Sequence, residues 1–341
     1  MADFASILSP VLVTGANGFI GSELCRVLRA HGCAVRGLAL PGTPVEALHE
    51  LGVEVFFGDV CDPASLAEPC SGARTVFHLA ALARDWGRFH DFMRINAEGT
   101  GNMLEAARRG GARRFVHMSS LAVHRFRGYR DGDESVPADN VAFGYCASKV
   151  KAEALVRAAH SQQGMHTTII RPGAIIHGPG DTTSFIHLAP AIEAGGLPLV
   201  DGGRPLTCFS FSRNLAEGML LAAASPAGAG ETFVLADEVR LTIREHLEAI
   251  ARELGVPGHF RSVPAWLARA AAWVVDGVFR LAGAREAPPI HRYRVGLVAR
   301  DFRFHSAKAR SLLGYAPCVP YDEAIRRTVA WYREWRRQVK A

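Results

Sequence analysis

Tyr145 and Lys149, in the run Tyr145-Cys146-Ala147-Ser148-Lys149, stand four residues apart, so on a helix they share one face and lie one turn from each other. A phenol near its ordinary pKa of ~10 is a poor base at neutral pH, but a cation held close favours the phenolate. The pair is therefore expected to move protons, with the lysine tuning the tyrosine. Ser119 and Ser120 end the apolar run RFVHMSS, 25 residues before the tyrosine, and a hydroxyl at that strand end could donate to a substrate oxygen. The chemistry on offer is removal of a proton from an alcohol while hydride leaves its carbon, or the reverse at a ketone.

Hydride needs a carrier, and residues 11 to 21, VLVTGANGFIG, supply a place for one. An apolar strand runs directly into Gly15-x-x-Gly18-x-x-Gly21, and a helix follows. Glycines at such a turn let the backbone bend and let a phosphate approach main-chain N–H groups at the positive end of the helix. Strand, glycine turn and helix together point to a bound dinucleotide.

These residues need a scaffold, and the rest of the chain describes one. Short apolar or β-branched runs (VLVTG, CAVRGLAL, VEVFFGD, TVFHLA, RFVHMSS, TTIIRPG) alternate with helical stretches, and Gly32 and Gly110 sit where helices should stop. The expected fold is α/β: a Rossmann-type doubly wound parallel sheet with a smaller, mostly helical substrate-binding lobe. The core is expected over residues 8–175, with 209–237 returning to it, and the lobe over 176–208 and 238–341. With 341 residues, 49% hydrophobic and 21% charged, the chain can bury a full core.

The opening MADFASILSP has no basic or apolar leader, so a cytoplasmic location is expected. Seven cysteines without a C-x-x-C pair suggest reduced, mostly buried thiols, and fourteen histidines without ligand spacing suggest no metal. His124, His177 and His187 could border a pocket. The net charge of +6 comes from scattered arginines with no nucleic-acid-binding signature, so no nucleic acid partner is expected. The basic ending YREWRRQVK reads first as a solvated face and second as attraction to anionic lipid.

One segment, residues 264–282, is as long as a membrane span, but Arg269, Asp276 and Arg280 make it an amphipathic helix rather than a crossing one. Docking on the core is the first expectation, contact with the inner membrane surface the second. A homodimer is a further partner left open.

The TGxxGxxG spacing resembles the extended short-chain dehydrogenase/reductase family, as do Asp59 in GDVCD, the run His78-Leu79-Ala80-Ala81, Asn96 and Gly99 in INAEGT, and Arg171-Pro172-Gly173. The resemblance covers nearly the whole chain. It implies that Gly15, Asn17, Gly18, Phe19, Ile20, Gly21, Asp59, Val60, Leu79, Ala80, Ala81, Pro172 and Ile175 surround the dinucleotide, with Asp59 toward adenine. Tyr145 and Lys149 then also hold the nicotinamide side, Ser120 rather than Ser119 is the catalytic serine of SSLAV, and Asn96 completes a proton relay. Asn96 reads equally well as a helix-start cap. Ala39 and Leu40 stand where relatives place the acidic or basic residue that selects NAD or NADP. Arg36 is a weak hint toward a 2′-phosphate, and NAD is favoured on family grounds with NADP left open.

Within that family, PLTCFSFSRNLAEGM, ARDWGRFHDFMRIN and the ending from Phe302 resemble 3β-hydroxysteroid dehydrogenases. Thr207 stands where nucleotide-sugar enzymes carry an arginine for the diphosphate. The resemblance implies a hydrophobic, sterol-like substrate, including 4-carboxysterols that decarboxylate after oxidation. Long-chain 2-alkyl-3-ketoacids, nucleotide sugars and a non-catalytic NAD(P) sensor are the alternatives. Trp86, Phe89, Phe92, Phe185 and the helix from Trp266 to Leu281 offer the apolar area such a substrate needs.

Overall fold

Strands buried on both faces are mostly apolar, and the first and fourth strands, VLVT and TVFH, are buried at every position. The computed structural model describes residues 3–284 and 286–340. Its main sheet comprises β1 (Val11–Thr14), β2 (Val35–Ala39), β3 (Glu54–Phe57), β4 (Thr75–His78), β5 (Arg114–Met118), β6 (His166–Pro172) and β7 (Thr232–Leu235). All are parallel, in the order β7-β6-β5-β4-β1-β2-β3. Successive side chains point to opposite faces. Val11, Val13, Phe77, Val116 and Ile170 therefore meet helices Phe19–Ala30 and Ser212–Ala224 on one side. Leu12, Val76, Phe115 and Ile169 meet helices Gly99–Arg109 and Gly144–Gln163 on the other.

The chain leaves β1 toward β2 and β3, then returns to place β4 on the other side of β1, so a crevice opens where the winding reverses. Several of the segments assigned to chemistry follow the C-terminal ends of strands at or near this crevice. Gly15 follows β1, Leu79 follows β4, Ser119 and Ser120 follow β5, and Gly173 follows β6.

Helix ends differ slightly from expectation. The left-handed residue after Gly99–Arg109 is Gly111 (φ 87°), whereas Gly110 stays right-handed. Gly110 is required instead because a Cβ there would lie 2.1 Å from the Cys70 carbonyl oxygen.

Beyond β6 the chain builds short strands that the sequence pattern did not reveal, since runs of two to four residues are too short to show alternation. Ile175–His177 pairs with Phe209–Phe211, and Leu206–Thr207 joins a small sheet with Leu241–Thr242, Phe302–Phe304 and Tyr129–Gly132. Of the returning segment 209–237, only Thr232–Leu235 enters the main sheet. Helices Phe185–Glu193, Ile243–Leu254 and Tyr321–Lys340 share a separate core in which Phe185 packs edge-on against Tyr332. Phe185 is thus committed to packing and not to a substrate wall.

Helix Ala265–Leu281 docks through small residues. Ala268 and Ala272 are buried against Val295 and Ala299, and Asp276 is buried with its carboxylate held by Arg280 (2.8 Å) and Arg292 (3.0 Å). Its large apolar side chains, including Trp266, Val274 and Leu281, face outward. The expected docking is present, but the apolar stripe is on the opposite side, because the inward space admits only alanines and a neutralised charge. Among the described residues, no helix is long and apolar enough to cross a membrane.

Candidate active site

The glycine turn is built by close approach. Gly15 has φ 64°, and a Cβ on it would sit 3.1 Å from backbone atoms of Ala80, in the loop after β4. At Gly21 a Cβ would lie 2.1 Å from the Gly15 carbonyl oxygen, so only glycine lets the helix start tight against the turn. Gly18 caps helix Phe19–Ala30 with extended backbone and no side chain in the way, and Phe19 and Ile20 form its first turn. The Gly18 N–H donates to the Gly15 carbonyl (3.0 Å), and the N–H groups of the helix's first turn form a cradle that fits a pyrophosphate. Gly21→Ala is expected to push the turn open and weaken dinucleotide binding at least about tenfold, or about 1.4 kcal/mol, read by fluorescence titration. Unchanged affinity would refute this packing account.

Thr14, just before the turn, organises its surroundings. Its hydroxyl oxygen accepts from the N–H groups of Leu79 (3.1 Å) and Ala80 (3.0 Å), which leaves its proton for His78 Nδ1 (2.9 Å). Donor counting then assigns the His78 proton to Nε2, donating to Thr100 Oγ1 (3.1 Å), which donates to the Asn96 carbonyl (2.6 Å). Burial, and secondarily the Lys149 charge, push the His78 pKa down to about 3, so the imidazole stays neutral in this chain. Leu79, Ala80 and Ala81 are thereby fixed as a half-buried rim facing Gly15.

Asn96 is not a helix-start cap. It sits inside a helix running from Phe89 to Arg109 that widens into π-type turns over Met93–Glu98. Its amide accepts from Leu82 N–H (2.7 Å) and donates to the Leu82 carbonyl (3.2 Å) and to Ser148 Oγ (2.9 Å). The Ser148 hydroxyl donates in turn to the Tyr145 carbonyl (2.7 Å). Asn96 therefore ties the loop after β4 to the tyrosine helix.

Tyr145 lies in the first turn of helix Gly144–Gln163, half-buried and edge-on to Phe92 (6.3 Å). Burial pushes its pKa up to about 12, and a hydrogen bond with the Ser120 hydroxyl pulls the other way. Ser120 and the phenol are thus neighbours. Ser119 is turned away, donating to the buried Glu153 carboxylate (2.7 Å).

Lys149 departs from expectation. Its ammonium is buried and donates to the Met118 carbonyl (2.7 Å) at the end of β5. The phenol is raised by burial in this state and not lowered as expected. Burial lowers the Lys149 pKa to about 8, opposed by the Glu153 charge.

Sequence reasoning missed Glu153, although it stands at i+4 from Lys149 and i+8 from Tyr145, on the same helix face. Its carboxylate accepts from Arg171 Nε (2.8 Å) and Nη2 (2.7 Å) and from Arg157 (2.7 Å). His124 lies against Arg171 Nη1 (3.3 Å), and so belongs to this network and not to a pocket wall. His177 is buried among Phe209, Phe211, His246 and Tyr321, and His187 is exposed.

On the adenosine side, one Asp59 oxygen accepts from Cys61 N–H (2.8 Å), and Val60 is buried with its carbonyl held by Asn102 (2.9 Å). Val60 also fills the space that a Cβ on Gly99 would need. Asn17 donates to Thr43 Oγ1 (2.9 Å) and the Pro44 carbonyl (3.1 Å), which anchors the loop after β2 to the glycine turn. Arg36 gives no support to a 2′-phosphate. It sits toward the start of β2, away from the crevice, bonded to Glu54 (3.2 Å) and the Ser71 carbonyl (2.6 Å). Pro172 ends β6 and Ile175 opens the next short strand, with the Gly173 N–H between them donating to Ser210 Oγ (2.7 Å).

A cleft of about 330 Å³ reaches the start of the tyrosine helix at Phe143 and is lined also by Phe126, Trp273 and Val295, with the arginines Arg269, Arg292 and Arg300. Tyr293 packs edge-on to Phe126 (5.4 Å) and Phe143 (5.3 Å). It is pushed well above the ordinary phenol value by burial, with the nearby Cys146 and Tyr145 adding to the shift. Nothing in the sequence signalled Tyr293, which lies far along the chain. Trp86 is covered by the Arg280 guanidinium (4.8 Å) and donates to the Ala284 carbonyl (3.1 Å), Phe92 is buried beside Tyr145, and Phe89 is exposed.

Comparison with known proteins agrees with this geometry. Residues 11–236 match the NAD dependent epimerase/dehydratase family. A 4-hydroxy-2-methyl-3-oxo-4-farnesyl-3,4-dihydroquinoline-1-oxide ketoreductase of Stigmatella aurantiaca is 34% identical over 92% of this chain and 93% of its own. A 2-alkyl-3-oxoalkanoate reductase of Stenotrophomonas maltophilia is 30% identical (94% and 98%), and a 3 beta-hydroxysteroid dehydrogenase/Delta 5-->4-isomerase of Mycobacterium tuberculosis is 32% identical (99% and 94%). The dTDP-glucose 4,6-dehydratase DesIV of Streptomyces venezuelae, solved with NAD and TYD bound, superposes with TM-score 0.77 at 25% identity, covering 96% of this chain and 98% of that one. With its glycine cradle, seven-stranded sheet and Tyr145 beside Ser120, the chain belongs to the NAD dependent epimerase/dehydratase family of extended short-chain dehydrogenases/reductases.

Proposed function

We propose that this oxidoreductase interconverts a secondary alcohol and a ketone on a hydrophobic substrate, with 3β-hydroxysteroids and related sterols as the first class. The observation that carries the reading is the contact of Tyr145 with Ser120 at the end of β5, beside a cleft walled by aromatic side chains. NAD held at Gly15, Gly18 and Gly21 supplies the hydride acceptor or donor. In oxidation Tyr145 takes the hydroxyl proton while Ser120 donates to the same oxygen. In reduction Tyr145, protonated up to about pH 12 on its own, gives that proton back. Asn96 and Ser148 hold the tyrosine helix against the loop after β4, and Lys149 keeps a positive charge under the site.

Three relatives support the class through their names, each of which carries a ketone or a hydroxyl on a lipophilic or alkyl-bearing compound. A 4-carboxysterol would also suit, since oxidation at C3 yields a β-keto acid that loses CO₂ without further help. A second reading, a 2-alkyl-3-ketoacid reductase, is favoured by Arg300, which lines the cleft, makes no ion pair among the described residues and could receive a carboxylate. A nucleotide sugar fits less well. Thr207, where a diphosphate-binding arginine would stand, is buried in the small sheet opposite Phe302.

The test is to incubate the protein with NAD⁺ or NADP⁺ and sterols, long-chain β-hydroxy acids or nucleotide sugars, following the reduced nicotinamide. Turnover confined to nucleotide sugars would overturn the reading. A pH profile checks the lysine's part. In the reductive direction kcat/KM is expected to fall as pH rises through about 8, where Lys149 of the free enzyme loses its proton while Tyr145 keeps its own. A profile flat from about pH 7 to about pH 10 would remove Lys149 from that step.

A further inference from the structure

We propose that the outward face of helix Ala265–Leu281 docks on an anionic lipid surface. Trp266 is 70% exposed, Val274 67%, Val278 57% and Leu281 93%. At 100° per residue these four side chains fall within an arc of about 120°, and Ala270 lies among them. Single exposed apolar residues are ordinary in soluble proteins, whereas a contiguous stripe of this kind marks a binding surface.

Charge selects the occupant. The helix carries one acidic residue, Asp276, which is buried and neutralised by Arg280 and Arg292. The charged groups on its exposed flanks are the arginines Arg269 and Arg280, with Arg261 on the strand that leads into it. Arg261 and Arg269 make no ion pair among the described residues. An apolar arc with a tryptophan near one end and arginines along one margin matches the boundary between acyl chains and anionic headgroups. A second copy of this chain fits poorly, because a two-fold contact between these helices would set arginines against arginines with no free carboxylate on either helix to meet them. The substrate cleft is not the occupant either, since Ala268, Ala272 and Asp276 hold the opposite face against the protein. This inference is independent of which substrate the site takes.

Co-sedimentation with vesicles tests it. The full chain should pellet with phosphatidylcholine vesicles containing phosphatidylglycerol, bind pure phosphatidylcholine far more weakly, and be released as salt screens the charges. The double variant Val274→Glu/Leu281→Glu should lower partitioning at least about tenfold while keeping its unfolding temperature and NAD affinity. Equal binding to both vesicle types, no binding to either, or unaltered binding by the variant would overturn the proposal. So would a dimer in light scattering that the double variant converts to monomer, since a second copy would then cover the face.

Discussion

Tyr145→Phe is expected to lower turnover by about 10²- to 10⁴-fold, the usual contribution of a positioned proton donor, while dinucleotide affinity stays within about twofold. The substitution removes one hydroxyl and little else. The ring still packs edge-on to Phe92, so no cavity opens and the first turn of the helix keeps its place. What disappears is the hydroxyl beside Ser120 to which the proposed mechanism gives the proton exchange with the substrate oxygen. Steady-state rates and a binding titration with the same preparation separate the two effects. Full residual activity in the variant would end the role assigned to the phenol.

Glu153→Ala is expected to cost about 3–5 kcal/mol of stability, the range for removing one partner of a buried ion pair. It strands Arg171, itself buried, and leaves Ser119 without an acceptor. Denaturant unfolding of the two proteins measures the difference, and a loss below about 1 kcal/mol would mean that the network is not holding β5 and β6 together. The pH dependence has a definite sign. Burial alone would raise the Glu153 pKa, but hydrogen bonds and charge from Arg171, with help from Ser119 and Arg157, hold it below the ordinary value. The stabilisation is therefore full above the unfolded carboxyl's ~4.3 and is lost as pH falls through the lower folded value. Glu153→Gln has a second readout. Removing the carboxylate takes away the charge that raises the Lys149 pKa, so the alkaline limb of the reductive profile should move below about 8.

Legibility in the sequence followed the range of the interaction. The glycine turn, the alternating strands and helices, and the Tyr145-Lys149 spacing depend on neighbours within a few residues, and their types and intervals could be read directly. Ser119 and Ser120 were separable only by family pattern. The structure separates them physically, because one hydroxyl meets Glu153 and the other meets Tyr145. Phe185 carried the same apolar signal as Phe92, yet one fills a remote core while the other lies against the tyrosine.

By itself the sequence determined a parallel sheet with a glycine turn after its first strand and placed Tyr145 and Lys149 on one helix face, since local backbone geometry and helical spacing impose these. Only the tertiary structure decided that Met118 captures the Lys149 ammonium, that Asn96 clamps Leu82 rather than capping a helix, and that the stripe from Trp266 to Leu281 faces away from the protein. Each of those outcomes depends on which distant groups compete for a donor, an acceptor or an apolar surface. That competition is settled when strands and helices far apart in the chain pack together.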